Sequence, residues 1–258
     1  MSIILRHLNV KDDGSELSLA NHAILITGAG GGLGGTAAMA LARHGAQIIL
    51  LDKNIPKLEA VYDRIKATCP LEPVLYPFDL AGANEGQYQE LANIIEEKYG
   101  SLQGILHAAV EFINFTPIAL QATKDWGHIL NVNLNAPFLL SRVLMPVLQH
   151  SETASIVFIS DSHARTAAAY GGAYGVSKIA LEGLAKILAE ELESFQKIRV
   201  NVLIPGPVDS PLRKRAYPAE DKTKLPKMES LDPVFHYLFG PECIGVTGQI
   251  IDARTFLL

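Results

Sequence analysis

The chain has 258 residues, of which 48% are hydrophobic, and a formal net charge of −5 at pH 7. The acidic balance argues against a nucleic-acid-binding surface, because phosphate recognition favours a basic patch, and no apolar run reaches the roughly 18 residues that suggest a membrane span. Two cysteines are too few for a disulfide framework or a structural metal site, and residues 1–10 lack a signal-peptide pattern, so we expect a cytoplasmic protein without a metal.

Short β-branched runs alternate with longer amphipathic stretches along the chain. This alternation is typical of βαβ units and predicts an α/β fold of the Rossmann type, a doubly wound parallel sheet of about seven strands. The strands lack strict polar alternation, as expected when helices cover both faces of the sheet. In chain order, the predicted strands are 23–27, 47–51, 74–78, 104–108, 155–160, 199–203 and a short final strand at 249–251, and the predicted helices include 33–44, 56–67, 87–99 and 174–195.

No linker or repeat interrupts this rhythm, so we expect a single domain over residues 21–258, preceded by a loosely held lead at residues 1–20. Residues 209–230 are rich in proline and charge and predict a mobile insertion. Long loops of this kind often close over a substrate, although plain surface loops share the composition. We interpret residues 209–230 as a candidate substrate loop.

A glycine-rich turn follows the first predicted strand, and an apolar helical pattern begins directly after it. Glycine lets the backbone turn tightly and approach a pyrophosphate, while a helix N-terminus offers free N–H groups and positive potential. Because the turn lies between a strand and a helix of the first βαβ unit, we favour phosphate binding over a merely flexible turn. The candidate cofactor residues here are Thr27, Gly28, Gly32, Leu33 and Gly34.

Two acidic residues follow the second and third strands. Asp52 stands at the spacing where a carboxylate accepts hydrogen bonds from the adenosine ribose, which predicts NAD, and its charge would repel the 2′-phosphate of NADP. Lys53 follows immediately and weakens this inference, so NADP stays open; capping of the next helix is the alternative role of Asp52. Asp79 is predicted to contact the adenine edge or to act as a turn residue.

Tyr174 and Lys178 are four residues apart in a predicted helix. This spacing places them on one face, so the ammonium can lie near the phenol. A positive neighbour stabilises phenolate and makes a tyrosine a usable acid or base near neutral pH. The same spacing also occurs as an ordinary exposed pair, so the pattern alone does not decide between the two roles.

Together these features resemble the short-chain dehydrogenase/reductase family over roughly residues 20–252. The glycine turn matches the TGxxxGxG motif of that family, Tyr174 and Lys178 match its YxxxK motif, and Pro205-Gly206 matches the PG motif after its sixth strand. The resemblance implies that Tyr174 is the general acid/base. It also implies that Lys178 binds the nicotinamide ribose and lowers the tyrosine pKa, and that Pro205 and Gly206 belong to the cofactor site.

Asn133 matches the asparagine that this family uses to hold a proton-relay water, with a helix-kinking polar residue as the alternative. The NNAG motif that the family carries after its fourth strand is replaced by residues 107–110, where the sequence is HAAV. This change affects a segment that steadies the sheet and lines the cofactor cleft. We expect His107 to be structural rather than catalytic.

The resemblance places a substrate-binding serine thirteen residues before Tyr174, and this position is Asp161. An ionised Asp161 would repel a developing alkoxide. Ser160 and Ser162 flank it, and a one-residue bulge could bring either hydroxyl to the cleft. We favour Ser162 as the catalytic serine, because Ser160 is expected to end the strand facing inward.

Two functions fit the sequence. The first is an NAD-dependent oxidoreductase that moves a hydride between nicotinamide and a small-molecule carbonyl or secondary alcohol, with Tyr174 transferring the proton. The second is a dinucleotide-binding protein with little or no catalysis, a sensor or scaffold, which residues 107–110 and Asp161 favour. We expect no nucleic-acid or membrane partner. Apolar faces on predicted helices 126–148 and 174–195 indicate a homotetramer or homodimer.

Overall fold

Residues 18–256, which the computed structural model describes, form a seven-stranded parallel sheet with helices on both faces. Residues 1–17 of the predicted lead lie outside the described residues. The sheet order is β3-β2-β1-β4-β5-β6-β7, which confirms the predicted doubly wound fold. The strands are β1 (Ala23–Thr27), β2 (Gln47–Asp52), β3 (Val74–Pro77), β4 (Gly104–His107), β5 (Ala154–Ile159), β6 (Ile198–Ile204) and β7 (Ile250–Asp252).

The helices cover the sheet in two layers. A π-helical segment, Asn131–Asn135, joins α4 to α5. Within residues 18–256, no helix combines the length and the apolarity needed to span a bilayer. The helices are α1 (Gly32–Arg43), α2 (Ile55–Thr68), α3 (Glu85–Tyr99), α4 (Thr123–Leu130), α5 (Ala136–Gln149), α6 (Ser162–Thr166), α7 (Gly172–Leu192), α8 (Pro211–Ala216), α9 (Asp232–Phe239) and α10 (Ala253–Phe256).

Alternate residues of a strand point to opposite faces of the sheet, so the described residues build two hydrophobic cores. Ile24 and Ile26 of β1 pack with α1, α2 and α9 in one core. Leu25, between them, packs with α3, α5 and α7 in the other. Every residue of β1 is buried, which explains why the strand is continuously apolar in the sequence.

The order in which successive strands are added to the sheet reverses between β1 and β4. β1 pairs with β2 on one side and with β4 on the other, and Thr27 is in register with His107 across the β1–β4 pair. The connections that leave these two strands therefore run to opposite sides and open a crevice at the carboxyl edge of the sheet. Ligands of open α/β sheets bind at such a point.

The predicted insertion at residues 209–230 contains α8 and two short 3₁₀ turns rather than a plain loop. Ser210 caps α8 by accepting a hydrogen bond from the N–H of Arg213 at 3.1 Å. Pro211 occupies the start of the helix, where its missing N–H has no cost. The N–H of Asp209 donates to the carbonyl of Pro226 at 2.8 Å, so the insertion folds back on itself.

Candidate active site

A cavity of about 640 Å³ lies at the carboxyl edge of the sheet, where β1 and β4 diverge. Its walls are the glycine turn before α1, the ends of β2 and β5, the segment after β4, the start of α7, and α8. This volume is in the range of cofactor and small-molecule sites. Every predicted site residue except Thr27 and Asn133 lines this cavity.

The glycine turn has no space for side chains at two positions. Gly28 has φ +66°, and a Cβ there would lie 2.6 Å from Cα of Ala109. A Cβ on Gly34 would run into the carbonyl oxygen of Gly28. Positive φ and backbone contact therefore require glycine here. The turn presents bare backbone at the N-terminus of α1, an arrangement that binds phosphate groups.

Thr27 lies beneath this turn and is buried. Its Oγ1 accepts hydrogen bonds from the N–H groups of Ala108 and Ala109, both at 3.1 Å. Thr27 therefore ties the end of β1 to the segment after β4. It positions the turn from below and does not line the cavity.

Asp52 faces the glycine turn from the end of β2. Its Oδ2 accepts a hydrogen bond from the N–H of Gly30 at 3.0 Å, and its Oδ1 accepts one from the N–H of Asn54 at 2.9 Å. Asn54, and not Asp52, caps α2, since its side chain accepts from the N–H of Lys57. The helix-cap interpretation of Asp52 is therefore wrong.

Asp79, Pro205 and Gly206 also lie at the cavity wall. Oδ1 of Asp79 accepts from the N–H of Ala81 at 3.2 Å, so this residue stabilises a turn while it faces the cleft. Gly206 has φ +75°, and a Cβ there would lie 2.9 Å from Cγ of Arg254. The chain after β6 therefore passes close to the cleft without a side chain at this position.

Tyr174 and Lys178 lie near the start of α7 and are both buried, at 4% and 2% exposure. The Tyr174 hydroxyl donates a hydrogen bond to Oδ2 of Asp161 at 2.9 Å. Nζ of Lys178 donates to the carbonyl of Ile159 at 2.7 Å and lies 5.8 Å from the centre of the Tyr174 ring. Both polar ends reach the cavity from one helix face, as the spacing predicts.

Asp161, rather than Ser162, meets the tyrosine. Ser160 is buried and donates to Oε1 of Glu182 at 2.7 Å, so it faces inward as predicted. Ser162 is exposed and donates to Oδ1 of Asp161 at 3.3 Å. No bulge brings a serine of this segment to the hydroxyl of Tyr174, because Asp161 occupies that position as the N-cap of α6.

The pKa of Tyr174 lies well above its usual value, because the phenol is buried and the Asp161 carboxylate opposes a second negative charge. The lowering of this pKa expected from Lys178 is not seen in this structure, because burial and Asp161 shift the pKa in the opposite direction. Burial lowers the pKa of Lys178 to about 8, although Asp161 and Glu182 act in the opposite direction. Burial alone would raise the pKa of Asp161, but hydrogen bonds from His163 and Tyr174 outweigh it and lower the pKa.

Asn133 lies within the π-helical segment and is fully buried. Its Oδ1 accepts from the N–H of Glu111 at 2.7 Å, and its Nδ2 donates to the carbonyl of Glu111 and to Oγ of Ser177, both at 3.0 Å. The side chain thus connects the segment after β4 to α7, beside a helix irregularity of the kind that the alternative role predicts.

Comparison with known proteins identifies the family. A family model described as short chain dehydrogenase matches residues 22–221. The chain belongs to the short-chain dehydrogenase family. It is therefore an oxidoreductase of a family that binds nicotinamide dinucleotides.

Three relatives illustrate the similarity. The dehydrogenase is 37% identical over 236 residues to the Escherichia coli K12 protein named uncharacterized oxidoreductase YciK, with 92% of this chain and 93% of that protein covered. A solved structure of a candidate short chain dehydrogenase from Pseudomonas syringae has 40% identity, a TM-score of 0.90, and coverage of 93% and 97%. A Shigella flexneri structure, complexed with NADP, has 36% identity, a TM-score of 0.90, and coverage of 93% and 100%.

The altered segment at residues 107–110 keeps the sheet of this dehydrogenase intact. His107 is buried, stacks on Phe158 with ring centres 4.6 Å apart, and its Nε2 lies 3.1 Å from Oγ of Ser141. Burial lowers the pKa of His107 to about 3, so the ring is neutral at physiological pH. These contacts give His107 the structural role expected of it.

Aromatic side chains that the motifs do not indicate form the wall of the cleft near Tyr174 and His163. Phe112 packs edge-on against Tyr174 with ring centres 5.2 Å apart, and Phe115 stacks on His163 at 4.8 Å. Tyr217 lies 5.5 Å from Phe115. A sequence signal exists for the two phenylalanines, since they lie within eight residues of His107, where β4 ends at the cleft. Tyr217 has none, because its place depends on how the insertion folds.

Proposed function

We propose that this dehydrogenase transfers a hydride between a nicotinamide dinucleotide and the carbon of a carbonyl group or secondary alcohol. The observation that carries the proposal is that Tyr174 and Lys178 line the same cavity as the glycine turn. When bound, the nicotinamide supplies or accepts the hydride. The residues of the chain would bind and orient the cofactor and the substrate, and they would transfer the proton.

The cleft fits such a cofactor. The backbone cradle at Gly28 and Gly34, where a Cβ has no room, would hold the pyrophosphate against the N-terminus of α1. The end of β2, with Asp52, would face the adenosine ribose. Lys178, whose ammonium is fixed at the carbonyl of Ile159, would hold the nicotinamide ribose.

Tyr174 would exchange the proton with the substrate oxygen. Its hydroxyl is directed into the cleft and already takes part in a hydrogen bond with Asp161. Burial and Asp161 both raise the pKa of the phenol, so the hydroxyl carries its proton before substrate binds. Steady-state assay of NADPH oxidation on a panel of ketones and aldehydes tests the proposal.

A dinucleotide-binding protein without catalysis is the second candidate. The contact between the Tyr174 hydroxyl and the Asp161 carboxylate favours this second candidate. The hydroxyl that would donate a proton to a substrate already donates its hydrogen bond to Asp161. Tight NADPH binding without turnover of any compound in a broad panel would support this candidate over the first.

We propose NADP(H) as the preferred cofactor, in place of the NAD preference that Asp52 predicts. The related Shigella flexneri structure was complexed with NADP. Lys53 and Lys57 are exposed at the cavity wall beside Asp52 and supply the positive charge that a 2′-phosphate requires. The Asp52 oxygens are engaged by the N–H groups of Gly30 and Asn54, which reduces their repulsion of a phosphate.

Lys53→Ala should weaken NADP(H) binding about tenfold and leave NAD(H) binding nearly unchanged, since it removes one charge-assisted contact to phosphate. Calorimetric titration of wild type and variant with both cofactors measures this. Lys98→Ala, at the end of α3 and outside the cavity, is the matched control and should bind both cofactors as wild type does. Tighter binding of NAD(H) than NADP(H) by wild type would restore the ribose interpretation of Asp52.

We also propose a homodimer or homotetramer built on α5 and α7. Phe138 of α5 is exposed, as are Val176, Ile179 and Ile187 of α7. The three α7 residues share one helix face, and a contiguous apolar face of this kind favours a partner.

Light scattering at micromolar concentration should give a mass two or four times the 27.9 kDa of one chain. Ile187→Asp should reduce this mass to that of a single chain, because it buries a charge in the proposed interface. Ile118→Asp, at another exposed apolar position, should leave the mass unchanged. A mass near 27.9 kDa for wild type would end the proposal.

A further inference from the structure

Asp161 places a carboxylate at the reacting end of the cleft. Its Oδ2 accepts the hydrogen bond of the Tyr174 hydroxyl at 2.9 Å. Its Oδ1 accepts from the backbone N–H of His163 at 2.9 Å and from Oγ of Ser162 at 3.3 Å, and it lies 2.8 Å from Nδ1 of His163. The backbone N–H of His163 can only donate, and the hydrogen bonds from His163 and Tyr174 lower the pKa of Asp161 although burial opposes this. Asp161 is therefore an ionised carboxylate, which acts only as an acceptor.

A carboxylate at this position opposes the reduction of a neutral carbonyl. When a hydride reaches a carbonyl carbon, the oxygen becomes an alkoxide and needs hydrogen-bond donors around it. Tyr174 can supply one donor. Asp161 has no proton to give, and its charge repels that of the oxygen.

We propose that Asp161 makes this site selective for a protonated C=N group, a cyclic iminium ion, over a neutral carbonyl group. The inference rests on the hydride transfer proposed above and extends its acceptors from C=O groups to protonated C=N groups. The N–H of the iminium ion would donate to Asp161, which holds the nitrogen in its protonated, reactive form.

The reaction balances without a further reagent. The C–H bond at C4 of NADPH breaks with both electrons, and a new C–H bond forms at the imine carbon. The π electrons of the C=N bond become the lone pair of the nitrogen, so the product is a neutral secondary amine and the positive charge passes to NADP⁺. No alkoxide develops beside Asp161.

The walls next to Asp161 suit a flat ring. Phe112, Phe115 and Tyr217 line this part of the cavity, with Phe112 edge-on to Tyr174. Aromatic faces attract cations as well as flat apolar surfaces. The class of ligand that fits both features is an imine within or fused to an aromatic ring system.

Three arginines also line the cavity. Arg254 is paired with Asp252, to which its Nε donates at 3.0 Å. Arg213 is neutralised by Glu220, through hydrogen bonds of 2.7 Å from Nε and 2.6 Å from Nη2. Arg215 is exposed, and its guanidinium lies 5.5 Å from the ring centre of Phe112. The charge that touches the Tyr174 hydroxyl is that of Asp161.

The first experiment compares kcat/KM, with NADPH, for dihydroisoquinoline and for tetralone, a ketone of the same shape. In wild type, kcat/KM should be about tenfold or more higher for the imine than for the ketone. This is the effect of the one charge-assisted hydrogen bond to Asp161 that the ketone cannot make. Asp161→Ser should lower kcat/KM for the imine and raise it for the ketone. Glu111→Gln removes another carboxylate of the cavity wall, which is paired with His128, and should keep the imine preference. Equal kcat/KM values for the imine and the ketone in wild type would overturn the inference. So would an Asp161→Ser variant with the same ratio of these two values as wild type.

The second experiment measures binding without turnover. NADPH-loaded protein is titrated by calorimetry with tetrahydroisoquinoline, an ammonium ion at neutral pH, and with tetralol, its neutral counterpart. Wild type should bind the ammonium ion about tenfold tighter, and the isosteric Asp161→Asn should lose this difference. NADPH affinity and thermal unfolding equal to those of wild type establish that each variant is folded.

The two experiments separate the inference from the proposed function. Failure of wild type to favour the ammonium ion overturns the role of Asp161, whether or not ketones are reduced. Ammonium binding that depends on Asp161, with no turnover of either compound, supports the selectivity of the site and refutes hydride transfer.

Discussion

Tyr174→Phe should lower kcat for a carbonyl or secondary alcohol substrate by about 10²- to 10⁴-fold, the range of general acid–base catalysis. The substitution removes one hydroxyl and little volume, so the ring contact with Phe112 at 5.2 Å is kept. The residues proposed to hold the cofactor phosphates and ribose lie elsewhere in the cleft. The dissociation constant for NADPH, measured by fluorescence titration, should therefore stay nearly unchanged while turnover is lost.

Lys178→Ala is the informative contrast to this variant. Its ammonium is buried and fixed at the carbonyl of Ile159, where it is proposed to hold the nicotinamide ribose. Removing it should weaken NADPH binding as well as lower kcat. Full activity of Tyr174→Phe on a working carbonyl substrate would refute the proton-transfer role of the tyrosine.

Gly28→Ala should abolish measurable NADPH binding or weaken it by about 100-fold. Two effects combine at this position: an alanine at φ +66° costs about 1–2 kcal/mol, and its Cβ would lie 2.6 Å from the backbone of Ala109. Backbone cannot move aside as a flexible side chain does, so overpacking adds about 1–3 kcal/mol and displaces the turn. NADPH titration and the midpoint of thermal unfolding measure the two consequences.

Gly100→Ala separates the cost of a positive φ from the cost of a steric clash. Gly100 has φ +71° at the end of α3, and a Cβ there meets no atom within 4 Å. This variant should lose about 1–2 kcal/mol of unfolding free energy and keep wild-type NADPH affinity. Equal NADPH affinities in the two variants would mean that the contact between Gly28 and Ala109 does not shape the cofactor site.

The sheet and the glycine turn were predictable because both depend on short-range patterns. Alternating strand and helix periods determine β1, α1 and β2 almost to the residue. The need for glycine at Gly28 and Gly34 likewise follows from a turn that lies between a strand and a helix. The spacing of Tyr174 and Lys178 determines that they share a face in any helix.

The electrostatics of the cleft were not predictable in the same way. Whether Asp161 or Ser162 faces Tyr174 depends on the start of α6, where Asp161 turns back to accept from His163. Burial of the phenol, together with the Asp161 carboxylate, raises the pKa of Tyr174, which is opposite to the expected shift. Spacing in the sequence places two residues near each other, but which atoms meet is decided by caps and burial that form only in the folded chain.

The two walls of the cleft are held differently, and this has a consequence for how the site can change. Asn133 joins Glu111 to Ser177, so the wall that carries Tyr174 is braced across two elements. The wall at α8 is tied to its own insertion and reaches across through a longer contact, 3.4 Å between the Tyr217 hydroxyl and Nε2 of His163. Substitutions in α8 can therefore alter which molecular shapes enter while the proton chemistry stays intact, so selectivity and reactivity are separable in this chain.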